Sequence, residues 1–117
     1  IVLSGLRPFE EHWIQTLEID GIPFDLVKPC SRCAIPDVDQ QSGKGEKGKS
    51  FVTERLRAFR KGVDGKGRPA TYFGVNAVAR IEPGTVKRIS LGSEVKIIAR
   101  KQYPHEFVRG CQLQPTY

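Results

Sequence analysis

Thr16-Leu17-Glu18-Ile19-Asp20-Gly21-Ile22-Pro23-Phe24-Asp25-Leu26-Val27 alternates with a period of two on both sides of Asp20-Gly21. A period of two sends successive side chains to opposite faces of an extended strand, and Asp-Gly accepts the positive φ angles of a two-residue hairpin turn. The run predicts a β-hairpin from Thr16 to Val27. Ile22, Phe24 and Leu26 fall on one face of its second strand, with Pro23, Asp25 and Val27 on the other. Pro23 has no N–H for a ladder, which predicts an edge strand or a bulge.

Moving outward, Ile1-Val2-Leu3-Ser4, ended by Gly5, reads as a strand end. Pro8 to Trp13 reads as a short turn-rich or helical connector. Lys28-Pro29-Cys30-Ser31-Arg32-Cys33 reads as a loop, because Pro29 interrupts a ladder. Residues 37–50 are polar and contain Gly43, Gly45 and Gly48, which predicts a flexible loop. Phe51 to Phe59 is the helical segment, with Val52, Leu56 and Phe59 as its apolar stripe and Arg55, Arg57 and Arg60 away from it. Ser50 or Thr53 is placed to cap its start.

Gly62 to Pro69 reads as a loop and Phe73 to Ile81 as a strand broken at Gly74 and Asn76. Glu82-Pro83-Gly84 is a turn. Val86–Ile89 and Glu94–Ala99 read as strands separated by Leu91-Gly92-Ser93. Tyr103 to Tyr117 reads as an irregular tail. Short strands, Gly-rich turns and one short helix predict a mainly β, barrel-type chain and argue against a βαβ enzyme.

The chain has 117 residues, of which 38% are hydrophobic and 27% charged. That is one domain's worth of ordinary globular composition, which excludes collagen-like and wholly disordered classes. It contains no Met, and we expect it to be a piece of a longer protein. No run approaches the ~18 apolar residues of a membrane helix, and neither a spanning helix nor a secretion leader is expected. Between Gly43 and Arg68 lie nine basic and three acidic residues, so the whole net charge of +6 resides there. A local basic patch of this kind is either a solvated face or a site for an anionic ligand or partner. Its aromatics, Phe51 and Phe59, are eight apart and no nucleic-acid motif accompanies them, so no nucleic acid is expected.

Cys30, Cys33 and Cys111 are an odd number, which does not read as a disulfide framework and points to a reducing compartment. Cys30-x-x-Cys33 has several readings. Half of a zinc site would need a second pair of donors, and only Cys111, His12 and His105 remain, without paired spacing. A dithiol redox pair would open a helix, whereas Ile35-Pro36-Asp37 and a polar loop follow. A single functional thiolate would suit a soft metal, with Arg32 favouring its anionic form. Two cysteines packed in a turn complete the set.

The string Val27-Lys28-Pro29-Cys30-Ser31-Arg32-Cys33 resembles the signature of the MOSC domain, the C-terminal domain of molybdenum-cofactor sulfurases. It is most similar to the branch that holds the mitochondrial amidoxime reducing component and its bacterial homologues. Matching pieces stand in order: Ile1-Val2-Leu3-Ser4-Gly5; Pro8-Phe9-Glu10-Glu11-His12-Trp13; Asp37-Val38-Asp39-Gln40-Gln41-Ser42-Gly43; Leu56-Arg57-Ala58-Phe59-Arg60; Tyr72-Phe73-Gly74-Val75-Asn76; and Ile89-Ser90-Leu91-Gly92-Ser93-Glu94-Val95. The resemblance covers residues 1–99, the C-terminal part of a MOSC-type β-barrel, and leaves 100–117 as a tail.

The resemblance implies a molybdenum-pyranopterin cofactor (molybdopterin). Cys33 matches the position that supplies the thiolate to molybdenum, and so carries the metal and catalytic roles. Ser31 and Arg32 match positions that contact the pterin, and Asn76 one near the metal. Cys30 is implied to be structural. A guanidinium suits the cofactor's phosphate and pterin acceptors, since it offers forked, charge-assisted hydrogen bonds. The implied activity is an oxidoreductase that reduces N-hydroxylated substrates such as amidoximes. Its implied partners are an electron donor of the cytochrome b5 and reductase type and an N-terminal β-barrel region of the same parent chain. This piece alone is expected to be inactive. The other activity implied is a sulfurase-type sulfur-carrier or cofactor-binding module, whose partner domain uses pyridoxal phosphate. The implied location is intracellular, at the mitochondrial outer membrane for a eukaryotic amidoxime-reducing relative and cytoplasmic otherwise.

Overall fold

The computed structural model describes residues 1–45 and 51–102. It contains the strands β1 (Ile14–Ile19), β2 (Ile22–Ser31), β3 (Lys61–Val63), β4 (Pro69–Ala79) and β5 (Val95–Arg100). One α-helix, α1 (Phe51–Arg60), joins them, with short 3-10 turns at Glu10–Trp13 and Ile35–Asp37. No described helix is long and apolar enough to cross a membrane.

β1 and β2 form the expected hairpin, with Ile19 opposite Ile22 and Thr16 opposite Asp25. Its turn uses φ of 50° at Asp20 and 72° at Gly21, the two positive angles whose twist matches the flanking strands. The strands form one sheet in the order β3-β4-β2-β1-β5. Printed registers make β1–β2, β1–β5 and β3–β4 antiparallel. For β2 and β4, Arg80 N–H donates to the Pro23 carbonyl (2.8 Å) and Arg32 N–H to the Thr71 carbonyl (2.7 Å). Numbers that rise along one strand fall along the other, so this pair is antiparallel too. The mainly β class with one short helix is found. The described strands form an open sheet with β3 and β5 at its edges.

Two compact units are built on the chain, one from Ile1–Lys28 and the segment from Gly74 onward, the other from Pro29–Phe73. In the first, Ile14, Leu17, Ile19 and Leu26 are buried, and Leu3, Leu6, Phe24, Val75, Val95 and Ile97 pack on them. Thr16 and Leu17 are both buried, which breaks the alternation of β1. The register against β5 shifts between these residues, as a bulge requires. The Thr16 hydroxyl is satisfied by donating to Asp25 Oδ1 at 2.8 Å. Asp20 Oδ2 accepts Ser90 N–H (2.9 Å) and the Ser93 hydroxyl (2.6 Å), tying the hairpin turn to the residues that lead into β5.

In the second unit, the buried residues of α1 are Thr53 and Arg60, with Leu56 half-buried. The apolar stripe expected at Val52, Leu56 and Phe59 is therefore corrected: Val52 is 41% and Phe59 51% exposed. The helix is turned so that two polar side chains go inward, each with a partner. Arg60, 1% exposed, donates from Nε to the Tyr72 carbonyl at 3.3 Å, and the Tyr72 hydroxyl donates to the Val63 carbonyl at 2.7 Å. Thr53 donates its hydroxyl to Asp37.

Other expectations are corrected as well. Pro23 lies in an interior strand, not at an edge. It faces Arg80, one residue past the end of β4, so the hydrogen bond its missing N–H forgoes falls at that strand's terminus. Pro29, Cys30 and Ser31 belong to β2 and not to a loop. β4 runs unbroken through Gly74 (φ 77°) and Asn76. Lys61–Val63 is a strand because Val63 pairs with Pro69 across a turn that Asp64 organises by accepting Lys66 and Arg68 N–H, each at 2.9 Å. Ile1–Ser4 and Val86–Ile89 are not strands: no neighbour pairs with them, and Val2 and Val86 are 98% and 85% exposed. Residues 37–45 hold a β-bridge between Val38 and Gly45 and an Asp39–Ser42 turn. The readings on Ser50, His105, Cys111 and the tail from Tyr103 lie outside the described residues.

Candidate functional site

The Cys30–Cys33 segment leaves the sheet at the end of β2. Pro29 is buried and Cys30 half-buried, while Ser31, Arg32 and Cys33 are exposed. Arg32 N–H still bonds to the Thr71 carbonyl, so the backbone stays extended past the strand's last residue. At about 3.3 Å per extended residue, the Cα atoms of Cys30 and Cys33 are on the order of 10 Å apart. A disulfide needs less than about 7 Å, and both thiols are free. The geometry therefore disfavours the dithiol reading. Among the described residues no group of three or more His, Cys, Asp or Glu is placed to hold a metal.

Side chains two apart on a strand share a face. Accordingly Arg32 Nη1 turns back onto Cys30 Sγ at 3.5 Å, and Cys30 Sγ–H points to the Ser31 carbonyl at 3.7 Å. Cys30 thus contacts the arginine beside it, and Cys33 is the exposed thiol of the pair.

After Cys33 the chain enters the 3-10 turn that ends at Asp37. Asp37 Oδ1 accepts Val52 N–H (2.8 Å) and Thr53 N–H (3.2 Å), and Oδ2 accepts the Thr53 hydroxyl. A carboxylate on the first N–H groups of a helix satisfies donors that have no partner within the helix. These bonds, the Thr53 hydroxyl foremost, hold the Asp37 carboxyl below the usual carboxylate range against the opposing effect of burial.

Between the cysteine segment, α1 and the β3–β4 hairpin lies a cleft of about 580 Å³. Arg32, Cys33, Asp37, Thr53, Arg57 and Lys61 are among its lining residues. Three cations face one carboxylate, and that carboxylate is already engaged by the helix. The cleft is electropositive and has a free thiol in its wall.

This is the donor set an anionic, sulfur-seeking group requires, and the sequence places it inside a recognisable domain. The family model of the MOSC domain matches residues 1–96. The chain belongs to the MOSC domain family. Among curated relatives of this MOSC domain, molybdenum cofactor sulfurase 2 of Culex quinquefasciatus is 28% identical over 99 residues, covering 85% of this chain and 12% of the relative. The molybdenum cofactor sulfurases of Homo sapiens and Bos taurus are each 36% identical over 44 residues, which is 38% of this chain and 5% of theirs. The MOSC domain thus spans only a small part of the relatives it matches. No solved structure matches it.

Of the residues expected at the site, Arg32 and Cys33 line the cleft together. Ser31 ends β2 and is not among the lining residues. Asn76 is exposed on β4, in the portion that belongs to the other compact unit. Asp37, Thr53, Arg57 and Lys61 were not singled out as site residues by sequence. The signal for two of them was the basic segment, which contributes Arg57 and Lys61 to the wall that holds the thiol.

Proposed function

We propose that this MOSC domain binds the molybdenum-pyranopterin cofactor and that Cys33 offers its thiolate to molybdenum. The observation that carries the reading is the exposed Cys33 thiol in the wall of a cation-lined cleft. The residues fit the group: its dithiolene and phosphate are anionic, and the cleft has an excess of positive charge beside a soft donor. Arg32 is proposed to bond the phosphate or pterin acceptors, with Ser31 and Asn76 as further contacts. Cys30, half-buried against Arg32, orients that guanidinium. When bound, the cofactor supplies two-electron, oxygen-atom chemistry at molybdenum.

For the parent protein we propose an oxidoreductase that removes oxygen from N-hydroxylated substrates such as amidoximes, with electrons from a cytochrome b5-type donor. The ordered match of short motifs from Ile1 to Val95 supports it. A sulfurase-type cofactor or sulfur-carrier module is the second reading, favoured by the name that the relatives above share. For either parent we propose that further strands of the longer chain complete the barrel.

Molybdenum analysis of the full-length protein tests the site. Loss of stoichiometric metal in Cys33→Ala with retention in Cys30→Ala supports the ligand assignment; metal retained in Cys33→Ala overturns it. Amidoxime reduction with a supplied electron donor, set against sulfur transfer to the cofactor, then separates the two parents.

A further inference from the structure

Arg57 and Lys61 stand in the cleft wall without a side-chain hydrogen bond or ion pair among the described residues. Thr53 and Arg57 are four apart on α1 and share a face. Lys61 follows directly at the helix's end, and all three line the cleft that also holds Arg32 and Cys33. Like charges gathered on one wall repel, and that cost is relieved when an anion enters. The only carboxylate in the cleft cannot serve, because both its oxygens are held by Val52 and Thr53. The same capping bonds fix the start of the helix, and with it the direction in which Arg57 points.

We propose that Arg57 and Lys61 form an oxyanion subsite beside Cys33, one that takes a phosphate or carboxylate group of the ligand filling the cleft, with Asp37 as the residue that positions it. This rests on the reading of the cleft as a ligand site and adds to it the residues that read the ligand's charge. The oxyanion is either the cofactor's own phosphate or an acidic group on the molecule brought to the metal. A guanidinium and an ammonium suit both, since each makes charge-assisted hydrogen bonds to such oxygens.

The test is titration of inorganic phosphate into the full-length protein, followed by calorimetry, with and without cofactor loaded. The double variant Arg57→Gln/Lys61→Gln is expected to bind phosphate at least roughly tenfold more weakly than wild type, as the loss of two charge-assisted contacts implies. Lys66→Gln, on the exposed β3–β4 turn, is expected to bind as wild type does. Equal phosphate affinity in the double variant and wild type, or no phosphate binding by either when both give native circular dichroism, overturns the proposal. If loading the cofactor abolishes phosphate binding and the double variant loses molybdenum, the subsite holds the cofactor's phosphate. If loaded protein still binds phosphate through Arg57 and Lys61, the subsite serves the substrate. Phosphate binding that depends on these two residues while Cys33→Ala keeps its molybdenum leaves the subsite standing and sinks the ligand assignment.

Discussion

Asp37 accepts the hydroxyl of Thr53, sixteen residues further along the chain, and the same carboxylate takes the Thr53 and Val52 N–H groups. This one side chain fastens the segment that follows Cys33 to the start of α1. The Thr53 side chain is buried, so its hydroxyl needs that partner. Thr53→Val should destabilise the domain by about 1 kcal/mol, the net worth of a typical intramolecular hydrogen bond. Urea unfolding monitored by circular dichroism measures it, and an unchanged midpoint would remove the bond from the account.

That destabilisation should depend on pH. Asp37 is held below its ordinary pKa, chiefly by the Thr53 hydroxyl. A carboxyl whose folded pKa lies below its unfolded one stabilises fully above the unfolded value and ceases to as pH falls through the folded value. The gap between wild type and Thr53→Val should be widest near neutral pH and close in acid. Unfolding curves collected from pH 7 down to acid would show it; a gap that does not vary with pH contradicts the assignment.

The hairpin turn supplies a purely conformational prediction. Gly21 has φ of 72°, and a Cβ placed there meets nothing within 4 Å. Gly21→Ala therefore introduces no clash and costs only the left-handed backbone, on the order of 1–2 kcal/mol. The loss should appear as a lower thermal midpoint with an unchanged circular dichroism spectrum.

Ile14 is fully buried at the start of β1 within the cluster of Leu17, Ile19 and Leu26. Ile14→Ala should cost about 2–5 kcal/mol, the range for opening a cavity in a packed core. Ile98→Ala, at a residue 57% exposed on β5, should cost much less. Denaturant midpoints for the pair are the measurement, and equal losses would mean the core has been misplaced.

The two cysteines should behave differently toward reagents. Cys33 is exposed and Cys30 half-buried against Arg32. Iodoacetamide, followed by peptide mass spectrometry, should modify Cys33 first. Mild oxidation of the native protein should give no Cys30–Cys33 disulfide, because the extended backbone keeps the pair out of reach. Recovery of that disulfide from folded protein would contradict the strand geometry.

What could be read in advance followed from local chemistry. Asp20-Gly21 fixed the hairpin, since few other pairs accept two positive φ angles. Glu82-Pro83-Gly84 gave a turn in which Thr85 N–H reaches the Glu82 carbonyl at 3.1 Å and Gly84 takes φ of 79°. The cysteine motif, too, was visible because its residues are contiguous. What escaped depends on partners distant in sequence. Nothing near Thr53 announces that Asp37 will cap its helix, so the inward face of α1 was placed one position away from where it lies. Arg60 looked like a surface charge because its acceptor, the Tyr72 carbonyl, belongs to a strand not yet formed when α1 is read alone. Val86–Ile89 has a strand's composition but no neighbour to pair with, and composition without a partner does not make a strand.

The side of β1 that β2 leaves uncovered is completed by β5, and the Asp20–Ser93 contact that helps seat it joins residues 73 apart. During synthesis the hairpin can close at once, while its outer border waits for most of the described chain to emerge. Such delayed, non-local pairing makes a protein slow to fold and prone to associate with other copies meanwhile. A version truncated ahead of Val95 would be left permanently in that vulnerable condition, so recombinant work on this domain should keep the last strand.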